Sequence, residues 1–199
     1  MEGWLDWQRG YRYGVLLIFP PEPLLSQVNR LRQRHDPESH NGCEAHISLT
    51  VPLPSSILDS AWEALSRIAA SCAPIEVVYG PVSHYLPHPG VCLKIEPFDQ
   101  LDRLRIRLES ADVFRGAVKR SHPFSPHMTL AEFISVEQTR SLLELLEPNA
   151  PEGCFLCRSV DYVIPDEAFV FRSQGTLTLG QNQTSARNVA AKPPGKEDG

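Results

Sequence analysis

The feature that most constrains this chain is a short pattern that occurs twice. Ala45-His46-Ile47-Ser48-Leu49-Thr50-Val51 returns as Pro126-His127-Met128-Thr129-Leu130-Ala131. In a strand, successive side chains point to opposite faces, so His46 and Ser48 share one face while Ile47 and Leu49 share the other. His127 and Thr129 stand in the same relation to Met128 and Leu130. Each copy offers an imidazole and a hydroxyl side by side above an apolar face. One His-x-Ser is usually just a half-exposed polar face. Two copies in strands of the same character constrain the fold.

The rest of the chain frames these strands. Residues 13–19 form a β-branched and aromatic run closed by Pro20-Pro21, which reads as a strand. Leu24, Leu25, Val28, Leu31 and Arg32 follow helical spacing until Asp36-Pro37 ends the helix. A polar loop with His35, His40, Asn41 and Gly42 leads to the first His strand, which Pro52 and Pro54 stop. Ser55 or Ser56 is placed to cap a helix bearing Leu58, Trp62, Leu65, Ile68 and Ala69. Residues 75–79 read as a strand, Gly80-Pro81 as a bulge or turn, and 82–86 as the continuation.

A similar order follows. Residues 91–95 read as a strand, and Pro97 starts a helix through Leu101, Leu104, Ile106 and Leu108. A loop of about 115–125 leads into the second His strand at 127–133, and Ser135-x-x-Gln138 is a capping box at the head of a helix bearing Leu142, Leu143, Leu145 and Leu146. Two further strands are expected at about 155–164 and 169–179. The tail, 181–199, loses aromatics and apolar pattern and is expected to be disordered. The His strand fills the third slot of both halves, about 13–86 and 91–179. The expectation is a single α+β domain over 1–180, built of two interleaved, pseudo-symmetric antiparallel-sheet lobes. Helices lie outside, and the motifs face each other across a central groove.

Charge and cysteine usage narrow the function classes. A formal net charge of -5 argues against coating nucleic acid through bulk positive charge, so no DNA-coating role is expected. The five cysteines, Cys43, Cys72, Cys92, Cys154 and Cys157, are odd in number and irregular in spacing. With no secretory leader at the N-terminus, they read as reduced thiols in a cytoplasmic protein. Cys154-x-x-Cys157 resembles half a zinc site or a redox pair, but no second pair accompanies it, and the buried-thiol reading ranks first. The most apolar run, 15–19, is strand-sized, and no membrane association is expected.

Two imidazoles flanking a groove have a specific use. Imidazole titrates near neutral pH, so one ring can take a proton while the other gives one. Hydroxyls at Ser48 and Thr129 suit the oxygens of a phosphodiester, where charge develops during in-line attack. Neither a metal nor another cofactor is required.

At this point the chain resembles a known family. His46-Ile47-Ser48-Leu49 and Phe124-x-Pro126-His127-Met128-Thr129-Leu130 look like the twin motifs of the 2H phosphoesterase superfamily, which includes the 2'-5' RNA ligase-like proteins and the cyclic nucleotide phosphodiesterases. The resemblance covers about 13–179. It implies a bilobal α+β fold, His46 and His127 as the catalytic acid–base pair, Ser48 and Thr129 as phosphate-binding residues, and no metal. The expected substrate is a nucleotide or RNA-end phosphodiester, handled by a monomer. The expected reaction is hydrolysis of a 2',3'-cyclic phosphate to a 2'-phosphate, or opening of an ADP-ribose cyclic phosphate. Cleavage or ligation of 2'-5' linked RNA in the same site is a second possibility. A module that binds RNA or nucleotide without turnover is the reading from a different class.

Other residues carry weaker signals. Arg103, Arg105 and Arg107 read as a solvated helix face, and Arg115 belongs to the same basic stretch. Lys119 and Arg120, in the loop feeding His127, have a better chance of meeting phosphate. Tyr85, Phe133 and Tyr162 lie at strand ends where an aromatic could stack on a base, though packing is the default for each. His84 and His88 read as surface residues. His122 lacks a hydroxyl partner at motif spacing. His35 and His40 sit in a loop that could cover the groove.

Overall fold

Leu16 and Ile18 point to one face of their strand, Val15 and Leu17 to the other, and all four are buried. The sheet is therefore covered on both faces at this strand, β1 (Val15–Ile18). The computed structural model describes residues 3–84 and 89–180. Within them β1 joins β2 (Ile47–Ser48), β3 (Ile75–His84), β4 (Gly90–Glu96), β5 (His127–Glu132), β6 (Gly153–Cys157), β7 (Ser159–Pro165) and β8 (Phe171–Thr178). The order across the sheet is β6-β3-β4-β5-β2-β1-β7-β8, with every pairing antiparallel.

One face carries the main core. Leu16, Ile18, Ile47, Leu49, Met128 and Leu130 pack there as a single cluster with residues of four helices. These are α2 (Leu24–His35), α4 (Asp59–Ala70), α5 (Phe98–Glu109) and α6 (Val136–Leu146). Each helix presents a short apolar stripe, such as Leu101, Leu104 and Leu108 of α5, which follows from helical spacing. The opposite face carries a smaller cluster of Val15, Leu17 and Val163, ringed by Tyr11, Phe19, Cys43 and Phe171. Two short helices border that face, α1 (Asp6–Arg9) and α3 (Pro37–Gly42).

The α+β class, the antiparallel pairing and the helix positions agree with the sequence, with local differences. The motif strands do not face each other across a cleft between two sheets. They are adjacent strands of one continuous sheet, joined at Ile47 opposite Met128. The strand expected at 155–164 is two: β6 ends at Cys157, β7 begins at Ser159, and β6 pairs with β3 while β7 pairs with β1. Because Arg158 alone separates two strands so far apart in the sheet order, the sheet must curl strongly.

Residues 37–42, read as loop, form α3 because the Asp36 carboxylate accepts the Ser39 N–H at 3.2 Å. The helix expected from Ser55 or Ser56 starts instead at Asp59, with Leu58 in the cap position and no side-chain cap. Two local signals hold as read. Ser135 and Gln138 form a reciprocal capping box on α6, and the register of β3 shifts between Tyr79 and Val82 around Gly80-Pro81. The expectations for Tyr85, His88 and the tail lie outside the described residues.

Candidate active site

Antiparallel pairing of Ile47 with Met128 fixes the geometry of the site. Counting outward from that pair, His46 stands opposite Thr129 and Ser48 opposite His127, all four on the groove face. Directly opposed Cβ atoms in such a ladder lie about 5 Å apart and diagonal ones about 7–8 Å. The two imidazoles occupy one diagonal of this square and the two hydroxyls the other.

Each ring is held the same way. His46 Nδ1 lies 2.7 Å from the Glu44 carbonyl oxygen, and His127 Nδ1 lies 2.8 Å from the Ser125 carbonyl oxygen. A carbonyl only accepts, so Nδ1 carries the hydrogen in both rings. The proton that can come and go therefore belongs to Nε2. In the two rings, identical tethers two residues back engage the same nitrogen.

The surroundings act on His46 strongly. Burial, foremost, lowers its pKa to about 4, with the Arg32 guanidinium and His127 adding to the shift against the opposing Glu44 carbonyl bond. At neutral pH His46 is an uncharged base. The groove thiol, Cys43, is pushed up to about 12 by burial and offers no thiolate. Burial, with help from Asp36, also raises the Glu132 carboxyl.

Arg32 organises the floor. Its side chain is buried and donates to the carbonyls of Thr129 at 3.1 Å, Ser39 at 2.9 Å and Cys43 at 2.9 Å. One cation thus ties α2 to α3, to the segment entering the first motif and to the second motif strand. Asp36 adds a parallel tie by accepting the Glu132 N–H at 2.9 Å. The sequence placed Arg32 within an apolar helical stripe, and a charge on a buried stripe was the signal of this role.

The groove encloses about 260 Å³ and is lined by His46, Ser48, His127 and Thr129 together with Arg32, Glu38, Glu132 and a set of aromatic rings. All four residues expected from the motifs are brought together. Lys94, paired across the ladder with His127, is exposed beside it on the side away from Ser48. Lys94 is not legible from the sequence, because nothing local marks a strand lysine as a neighbour of a histidine 33 positions away.

Other candidates settle elsewhere. Arg120 turns inward, donating to the Leu49 carbonyl at 2.7 Å and to Glu109 at 3.3 Å, so it braces the first motif strand. Arg105 is paired with Asp102 and Glu109. Tyr162 is buried, its hydroxyl donating to the Tyr13 carbonyl at 2.8 Å. Cys157 is buried and Cys154 exposed, and all five thiols are free. Among the described residues no group of three or more His, Cys, Asp or Glu is placed to hold a metal ion. No helix among them is long and apolar enough to cross a membrane.

Comparison with known proteins adds the lineage. The family model described as "2'-5' RNA ligase superfamily" matches residues 20–168, most of the chain and both motifs. The chain belongs to the 2'-5' RNA ligase superfamily, the 2H phosphoesterases. Among relatives in this superfamily, a protein of Oceanobacillus iheyensis named "Putative phosphoesterase" is 28% identical over 139 residues, covering 68% of this chain and 79% of its own. Another of that name, from Geobacillus kaustophilus, is 36% identical over 124 residues, covering 60% and 68%. In fold, the chain resembles E. coli LigT complexed with 3'-AMP, with a TM-score of 0.57 at 18% identity over 84% of this chain and 98% of that one. It also resembles TT0787 of Thermus thermophilus, with a TM-score of 0.55 at 17% identity over 84% and 98%.

Proposed function

We propose that this member of the 2'-5' RNA ligase superfamily is a phosphodiesterase that opens a cyclic phosphate by acid–base catalysis between His46 and His127. The favoured substrates are a 2',3'-cyclic nucleotide or RNA end, giving a 2'-phosphate, and an ADP-ribose cyclic phosphate. The observation that carries the reading is the diagonal placement of two imidazoles, each with Nδ1 tethered to a backbone carbonyl and Nε2 left for proton transfer. The phosphoesterase names of the relatives and the 3'-AMP complex of a protein sharing the fold point to the same class of ligand.

The geometry supports the following steps. The phosphate sits within the square, its non-bridging oxygens accepting from the Ser48 and Thr129 hydroxyls, with Lys94 adding positive charge beside His127. His46, uncharged at neutral pH, accepts a proton from water through Nε2 as the water oxygen attacks phosphorus. The bond from phosphorus to the 3' oxygen breaks, and that oxygen takes the Nε2 proton of His127. Ring opening ends with His46 protonated and His127 neutral, and exchange with solvent restores both.

The test is incubation of the full chain with 2',3'-cyclic nucleotides in excess EDTA, alongside His46→Ala and His127→Ala. A 2'-phosphate product that resists EDTA and is lost in both variants supports the two-imidazole mechanism. A folded wild type that turns over neither these nor ADP-ribose cyclic phosphate overturns it.

A further inference from the structure

Among the described residues two positions other than glycine have a left-handed backbone, Phe133 with φ 57° and Phe169 with φ 60°. A bulky residue there carries strain on the order of 1–3 kcal/mol. Both strained residues are phenylalanines, and the rings of both meet Trp7, at 6.2 Å and 5.2 Å between centroids.

The cluster has two parts. Phe169 is packed edge-on against Trp4, Trp7 and Phe171. Trp4 is fixed further, its indole N–H donating to the Glu167 carbonyl at 2.9 Å. These contacts are self-sufficient packing. The Trp7–Phe133 pair differs: its rings are tilted by only 34°, and the residues are 51% and 77% exposed. A strained backbone that holds a large apolar ring out in water gains nothing from burial, so the arrangement points to a ligand.

We propose that Trp7 and Phe133, backed by Phe169, form a stacking subsite for the purine base of the phosphodiester substrate. The inference rests on the function proposed above. Three observations carry it. The three rings line the same groove as His46, Ser48, His127 and Thr129, so a base at the aromatic end and a phosphate between the imidazoles share one ligand. Glu38 and Glu132 line the same groove as the rings, and Lys94 lies beside His127 on the neighbouring strand. Carboxylates accept from the amino and imino N–H groups of guanine and repel a second phosphate. At about 260 Å³ the groove is of single-nucleotide scale, and it lacks the basic track that a longer strand would follow. Trp7 and Phe169 also fall outside residues 20–168 matched by the family model, so the wall is built on segments that flank the shared core.

The test compares 2',3'-cyclic GMP with methyl riboside 2',3'-cyclic phosphate, which lacks a base, in wild type and Phe133→Asn. Asn tolerates the left-handed backbone and removes the ring, so the variant keeps or gains thermal stability. In wild type kcat/KM favours the guanosine substrate by roughly tenfold or more, and in the variant that ratio drops towards one. An unchanged ratio, or a variant that unfolds at lower temperature with the ratio intact, assigns the wall to packing of α1 and overturns the subsite.

Should neither of these substrates nor ADP-ribose cyclic phosphate turn over, the function proposed above fails, and tryptophan fluorescence reads the subsite on its own. Guanosine 2'-phosphate then quenches wild type, with at least tenfold weaker half-saturation in Phe133→Asn. No quenching, or equal quenching in both, overturns it.

Discussion

Ile47 lies directly opposite Met128, and this one contact between neighbouring strands aligns the whole site. Both side chains are buried on the helix-covered face, so the register that packs them also sets His46 beside Thr129 and Ser48 beside His127 on the other face. In the proposed mechanism the imidazoles act as one unit, one taking a proton as the other gives one. His46→Ala and His127→Ala are each expected to lower kcat by about 10²–10⁴-fold. The double variant is expected to fall no further than the worse single one, because either loss already stops the relay. Steady-state rates on 2',3'-cyclic nucleotides check both statements, and additive losses would show that the rings work separately.

Ser48 and Thr129 sit on the other diagonal, where the proposed mechanism has them meet phosphate oxygens. A hydrogen bond to a charged group contributes about 1.5–3 kcal/mol. Ser48→Ala and Thr129→Ala are therefore each expected to lower kcat/KM by roughly 10- to 100-fold. Thr129→Ser restores most of the loss, and its kcat/KM separates the hydroxyl from the methyl group.

The pH profile should carry the mark of His46. Its folded pKa, about 4, lies below the ordinary 6.5. A general base must be unprotonated, so the acidic limb of kcat/KM is expected near pH 4 rather than 6.5. The same shift couples to stability. Between about pH 6.5 and 4 the unfolded chain binds a proton that the folded one excludes, so stability falls as pH falls through that window. Urea midpoints for wild type and His46→Asn across pH 4–7 measure this contribution, which the substitution removes.

Much of this was legible because period-2 and period-3.6 patterns were clean. Alternation in 46–49 and 127–130 gave both faces of the motif strands, and the stripe of Leu101, Leu104 and Leu108 gave α5. The neighbours that pairing brings together were not legible. Nothing near Lys94 in sequence places it beside His127, and nothing near Trp7 places it against Phe133 and Phe169, because those contacts depend on sheet order. The division of 155–164 failed for a related reason. Phe155, Leu156, Cys157 and Val160 form one apolar run, and only the partners β3 and β1 show that it belongs to two strands.

Arg32 is expected to be the most sensitive position outside the four groove residues. Three backbone carbonyls from separate segments accept from its buried guanidinium. Arg32→Met fills much of the space but leaves those carbonyls without that donor, at a cost of about 1–3 kcal/mol for each group left unsatisfied. A loss of at least about 3 kcal/mol in urea unfolding is expected. Because the Thr129 carbonyl is one of the three, kcat/KM on folded variant protein should fall as well.

Gly14 and Gly116 make a matched pair for separating backbone strain from crowding. Their φ angles are 85° and 86°, so an alanine at either carries the same left-handed penalty, about 1–2 kcal/mol. Around Gly116 an added Cβ meets nothing within 4 Å, whereas at Gly14 it would run into the Val163 carbonyl oxygen and come within 2.7 Å of the Tyr162 ring. Gly14 leads into β1 where that strand pairs with β7, so relief requires moving the two strands apart. Val15, Leu17 and Val163 form the apolar floor under the groove, and separation there loosens the support of Ser48 through its partner Leu17. Gly116→Ala is expected to lose about 1–2 kcal/mol with turnover unchanged. Gly14→Ala is expected to lose at least about 2 kcal/mol more and to lower kcat. Equal urea midpoints for the two variants would show that β7 yields to the extra methyl without strain, and the floor would then not be the rigid support that its packing suggests.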